Sequence, residues 1–144
     1  MGEIPEMKNS WLCITSLRNL SIMKRTEVYG VSSRDKRRME TFREGDDLFL
    51  YVPTIGIAAY CRIISRLLEC RNEDKKYPYP YLVRIRFLWD AAGDTAKAIP
   101  FLPNPRTDIS LEPIFTIRAV YSIPDWQRDY YLSKLALSRV NEDQ

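Results

Sequence analysis

The sequence contains no histidine. That removes the side chain whose ordinary pKa lies nearest neutrality, and with it Ser-His-Asp and Cys-His nucleophile arrangements and zinc sites built partly on imidazole. A Lys, Glu or Tyr can still exchange protons, so composition disfavours catalysis without excluding it. Glycine is scarce, and the five present are dispersed, which leaves no GxGxxG turn and no P-loop to cradle phosphates. Cysteine is scarce as well. Cys13, Cys61 and Cys70 are odd in number and show no CxxC spacing, so reduced and buried thiols are expected, as in a cytoplasmic protein. No run approaches the roughly 20 apolar residues of a membrane-spanning helix, and MGEIPEMKNS lacks the apolar segment of an export signal. Neither a membrane partner nor a cofactor is expected.

The 144 residues are 45% hydrophobic and 28% charged, the balance of one globular domain with a core of its own. Residues 1–9 read as a loose leader, 10–140 as the domain and 141–144 as a tail. Net charge is only +3 but is unevenly spread. Between Arg18 and Arg43 stand eight basic residues against three acidic ones (Glu27, Asp35 and Glu40). A basic segment on a near-neutral body suggests an anion-binding face, with a solvated helix surface as the plainer explanation.

Trp11-Leu12-Cys13-Ile14-Thr15 has the aromatic and β-branched content of a buried strand. Ser16 can cap a helix in which Leu17, Leu20 and Met23 recur at helical spacing. A second short helix is expected from Arg34 to Phe42, with Ser33 as its cap and Met39 and Phe42 inward. Strands follow at Leu48–Val52 and from Ile55 to about Leu68. In the segment after Pro80, Tyr81, Val83, Ile85, Phe87 and Trp89 are apolar at every odd position, while Arg84, Arg86 and Asp90 alternate with them, which predicts five core side chains on one face. Ala91–Pro113 is irregular and proline-rich, and Ile114–Ala119 reads as one more strand. Ser122-Ile123-Pro124-Asp125 offers a cap for a closing helix whose apolar face is Trp126, Tyr130, Tyr131, Leu135 and Leu137.

The acidic pairs Asp46-Asp47 and Asp125-Asp129 fall in a turn and a helix start, where carboxylates have ordinary structural work. The chemistry-bearing features are aromatic. Tyr77-Pro78-Tyr79-Pro80-Tyr81 is a stiff extended segment with a ring at every second position, because each proline keeps its predecessor out of the helical region. Tyr29 stands beside Gly30, Val31 and the hydroxyls of Ser32 and Ser33, followed by Arg34, Lys36, Arg37 and Arg38. Rings near cations suit single-stranded or flipped-out bases, since base–aromatic stacking contributes about 1–3 kcal/mol per base and the cations hold phosphates. Core packing is the competing role for each ring.

The order of these segments resembles the EVE domain family: Trp11–Thr15, a helix, Val28-Tyr29-Gly30-Val31, Arg43-Glu44-Gly45-Asp46-Asp47-Leu48-Phe49-Leu50-Tyr51-Val52, Gly56-Ile57, Tyr79-Pro80-Tyr81-Leu82-Val83-Arg84-Ile85, and Ile123-Pro124-Asp125 before the last helix. The resemblance covers about residues 10–137. It implies an α+β, PUA-like fold, a curved mixed sheet closing toward a barrel with helices around it, related to the YTH domains that hold a methylated adenine in an aromatic cage. It also implies a non-catalytic module whose partner is RNA or DNA carrying an unpaired or modified base. Carried over, Tyr29 stands where the family usually has tryptophan and becomes a cage wall. Gly30, Val31 and Ser32 would offer hydrogen bonds to the base edge, Ser16 and Asn19 polar groups against it, and Tyr79 or Tyr81 the opposite wall. Arg18, Arg34, Lys36, Arg37 and Arg38 would hold flanking phosphates. Tyrosine at position 29 gives less stacking area than tryptophan. The alternatives are a protein-interaction scaffold using the fold without the pocket, and an enzyme acting on nucleotides.

Overall fold

The computed structural model of the chain describes residues 9–31, 36–69, 81–91, 94–100 and 120–142. The elements are β1 (Ser10–Ile14), α1 (Leu17–Thr26), β2 (Val28–Val31), α2 (Lys36–Met39), β3 (Asp47–Val52), β4 (Gly56–Ile63), β5 (Leu68–Glu69), β6 (Tyr81–Asp90), β7 (Val120–Ile123) and α3 (Asp125–Glu142). The strands form one mixed sheet in the order β2-β6-β4-β3-β1-β7, with β5 alongside the start of β6. Among the described strands only β1 and β3 run parallel, and every residue of β3 is buried, because helices or irregular segments cover both faces there.

Alternation along the central strands builds two cores. One face gathers Trp11, Cys13, Leu48 and Leu50 beneath Leu20 and Met23 of α1 and Met39 and Phe42 around α2. The other gathers Leu12, Phe49, Tyr51 and Ile57 beneath Tyr131 and Leu135 of α3. The buried carboxylate of Asp46 ties the sheet's entry together: it accepts from the backbone of Asn9 (3.1 Å) and Arg43 (2.9 Å) and from the Trp11 indole (3.0 Å). No helix among the described residues is long and apolar enough to cross a membrane.

Several expectations need correcting. The strand expected over Ile55–Leu68 is two, since β4 ends at Ile63 and β5 is a separate pair of residues. Helix α2 is four residues, with Phe42 reaching the core from the turn after it. Ser122 lies within β7, paired with Trp11, so it caps nothing. Trp126 is 46% exposed and belongs to the outer face of α3. Trp89 does not share a face with Tyr81–Phe87. Pairing with β4 shifts from Cys61↔Phe87 to Tyr60↔Trp89, leaving Leu88 as a bulge, and beyond it the alternation inverts. Trp89 therefore packs on the α3 side, and Asp90 turns to the α1 side. The strand expected at Ile114–Ala119, the Ser33 cap and Cys70 lie outside the described residues. Cys13 and Cys61 are both buried.

Candidate nucleic-acid interface

Ser16 caps α1 as its spacing predicts, its hydroxyl accepting from the Asn19 N–H at 3.1 Å. The helix then presents Leu17, Leu20, Ser21 and Lys24 on one face, the i, i+3, i+4, i+7 set. That face does not close completely on the sheet. A cleft of about 430 Å³ remains between it and a floor made by Ile55, Ala58 and Ala91.

Two bulges shape this floor. Between β3 and β4 the pairing jumps from Leu50↔Ala59 to Tyr51↔Ile57, so Ala58 is the extra residue. The second bulge is Leu88 on β6. The Ala91 N–H donates to the Ala58 carbonyl at 2.9 Å and joins the two irregular segments. Small side chains at both positions keep the floor low. The inverted alternation after Leu88 brings Asp90 to the wall, where Lys24 Nζ meets its carboxylate at 3.0 Å. Asp94 and Thr95 close the rim, the Asp94 carboxylate accepting from the Ala96 N–H at 3.0 Å to cap a single 3-10 turn. An apolar slot with a hydroxyl, an ammonium and a carboxylate along one wall can sandwich a planar ring and hydrogen-bond its edge. Leu17, 47% exposed, stands at the mouth.

The residues expected around a base fall in two places. Ser16 and Asn19 are at the start of α1, beside the lining Leu17 and Leu20. Gly30, Val31 and Tyr81 are at the other end of β6, where Val31 pairs with Tyr81 and Gly30 with Leu82. Tyr81 and Asp90 are nine positions apart, about 30 Å of strand. Tyr29 is only 3% exposed, its ring within the α1-side core. The reason is register: Tyr29 pairs with Val83 and so shares that residue's inward face. Ser32, Tyr79 and Arg34 lie outside the described residues. Of the cations, Arg38 donates to the Val120 carbonyl and lies over the Tyr121 ring, which ties α2 to β7. Lys36 sits 5.1 Å above the Tyr81 ring and 3.8 Å from Glu40. Arg18 and Arg37 are exposed. Asp90, Ala58 and Ala91 were not singled out by the sequence, because their roles arise from bulges that depend on partner strands.

Among the described residues no group of three or more His, Cys, Asp or Glu could hold a metal. Burial, with Cys13 and Asp90 nearby, pushes the Cys61 thiol well up and leaves it protonated. Burial also raises Tyr60, whose hydroxyl donates to Asp47 at 2.7 Å, and bonding to Asp129 raises Arg128. None of these three lines the cleft.

No family model matches the chain. Over 42 residues, 29% of this chain and 29% of that protein, it is 38% identical to a UPF0310 protein of Pyrococcus horikoshii. Solved structures match far more of it. The YTH domain of Zygosaccharomyces rouxii MRB1, in complex with N6-methyladenosine RNA, is similar over 92% of this chain and 87% of that one, with a TM-score of 0.61 and 12% identity. The Pho92 YTH domain in complex with m6A matches over 92% and 86%, with a TM-score of 0.60 and 17% identity. The fold is YTH-like. Human THYN1, in complex with DNA containing 5-methylcytosine, shares it over 88% of this chain and 96% of that one, with a TM-score of 0.60 and 13% identity. At these identities the likeness is one of fold, and it agrees with the PUA-like α+β architecture implied by the order of the sequence segments.

Proposed function

We propose that this chain is a non-catalytic nucleic-acid-binding module that seats an unpaired, modified base in the cleft between α1 and the bulged ends of β4 and β6. The observation that carries the reading is a cleft of about 430 Å³, apolar on both sides and polar along one wall, in a YTH-like fold. Pockets for small planar ligands generally fall between about 300 and 1,000 Å³. Support comes from the neighbours of this fold, two solved with methylated adenosine and one with methylcytosine DNA. In this reading Leu17 and Leu20 cover one side of the ring and Ile55, Ala58 and Ala91 the other. Ser21, Lys24 and Asp90 meet its edge, and Ser16 and Asn19 stand at the entrance. Exposed Arg18, Arg25 and Arg37 supply positive charge on the helical side.

The test is a titration with short single-stranded and duplex oligonucleotides carrying one adenine, N6-methyladenine, cytosine, 5-methylcytosine or 5-hydroxymethylcytosine. Ser21→Trp places an indole in the cleft from an exposed helix position and should leave folding intact. Preference for one base, reduced about tenfold or more in Ser21→Trp at unchanged melting temperature, is the expected result. Undiminished preference in Ser21→Trp would remove the cleft from the reading. No binding to any oligonucleotide would favour the interaction scaffold. Tyr29→Ala is a poor probe, because truncating a core ring costs about 3–5 kcal/mol and would confuse loss of binding with loss of fold.

A further inference from the structure

Strand β6 carries a second set of polar side chains that the base pocket does not use. Arg84 and Arg86 alternate with Val83 and Ile85, so they lie on the face opposite the α1-side core, and both are exposed. The direct antiparallel partner of Arg86 on β4 is Arg62. Directly opposed residues on such a pair have Cβ atoms about 5 Å apart, and residues two apart on one strand are separated by roughly 7 Å. Three guanidinium groups are thus gathered on one patch of sheet that α3 leaves uncovered. Opposed like charges weaken a sheet, and among the described residues they are compensated only in part, Arg62 Nη2 donating to the Tyr60 hydroxyl at 3.4 Å. Arg62 Nη2 is 3.9 Å from Asp47, whose carboxylate already accepts from Tyr60. The Arg62 Nε is buried without a partner among the described residues. Neither Arg84 nor Arg86 has a carboxylate of a described residue within 4.0 Å.

We infer that Arg62, Arg84 and Arg86 form a phosphate-binding track for the backbone of the nucleic acid, on the sheet face away from the cations of α1 and α2. The inference rests on the proposed nucleic-acid function and extends it to a second surface. Guanidinium forks match phosphate oxygens two at a time, and a polyanion would relieve the repulsion that the bare sheet carries. Arg86 precedes the cleft residue Asp90 by four residues, about 13 Å of strand. The two surfaces lie on opposite faces of the sheet, so one nucleic-acid strand would contact both by passing round the edge of β6.

The experiment measures the affinity of an unmodified oligodeoxythymidine 12-mer against salt for the full chain, Arg84→Gln, Arg86→Gln, the double variant and Ser21→Trp. Each phosphate contact in a single strand contributes about 0.7 to the slope of log affinity against log salt. The double variant should lose roughly 1.4 of slope and several-fold in affinity at low salt, with a melting temperature equal to or above wild type. Ser21→Trp should keep the wild-type slope, which separates this track from the base cleft. An unchanged slope in the double variant overturns the track while leaving the base reading intact. Failure of the wild type to bind the 12-mer, with arginine-dependent binding of poly-glutamate instead, overturns it in favour of an acidic protein partner. Failure to bind either probe overturns it as well.

Discussion

Tyr60 shows how far a single residue here depends on its surroundings. Its ring stacks on Phe49 with centroids 5.0 Å apart, and its hydroxyl donates to the Asp47 carboxylate while Arg62 Nη2 lies 3.4 Å away. Burial and the Asp47 carboxylate both hold the hydroxyl protonated above its ordinary value of 10.0. The unfolded chain then ionises first, so the stability from this group is complete below about pH 10 and is lost as pH rises through the folded value. Urea unfolding at pH 8, 10 and 11 should show a steeper alkaline loss for wild type than for Tyr60→Phe. Parallel curves would show that the hydroxyl gains nothing from its neighbours. At this scale Ser16 was legible in the sequence, because a cap and the N–H it accepts from lie three residues apart. Tyr29 was not. Whether its ring faces a ligand or the core is settled by Val83, more than fifty residues away.

Among elements, the two bulges and the turn into β4 shape the cleft. Gly56 has φ of 126°, a backbone region that side chains rarely adopt. A Cβ there would lie 2.5 Å from the Ile99 carbonyl oxygen. That oxygen cannot yield easily, since it accepts from the Ile57 N–H at 2.7 Å in the bridge that pins the 3-10 segment to β4. Gly56→Ala should therefore cost about 2 kcal/mol or more, read from the urea midpoint, and should loosen Asp94 and Thr95 at the cleft rim. A cost below half of that would mean the bridge is easily displaced. The alternation of β6 was readable for Tyr81–Phe87, where polar and apolar residues trade places strictly. It failed at Leu88 because three apolar residues in a row, Phe87, Leu88 and Trp89, carry no mark of where the extra residue sits.

For the molecule as a whole, one sheet separates two cores that share every central strand. Trp11 reports on the α1 side and Trp89 on the α3 side. Since β1, β3 and β4 contribute to both, neither core can dissolve alone without exposing the other's floor, and unfolding should be all-or-none. Two variants, each keeping a single tryptophan at position 11 or 89 with phenylalanine at the other two sites, should show coincident fluorescence and far-UV transitions in urea. Separate midpoints would mean that the two layers are independently stable.

The sequence by itself determined where β1, α1, β3, β6 and α3 form, though not the break after Ile63 or the short extent of α2, that no histidine chemistry is available, and, through the order of its segments, the PUA-like class. These properties depend on neighbours within a few residues or on composition, and periodicity and caps record them directly. Only the tertiary structure decided that Tyr29 belongs to the core, that Asp90 faces α1 and that Arg62 opposes Arg86. Each follows from strand register, and shifting a register by one residue moves a side chain to the opposite face of the sheet. That choice is made between segments far apart in the chain, by the packing of two cores at once, and no local pattern encodes it.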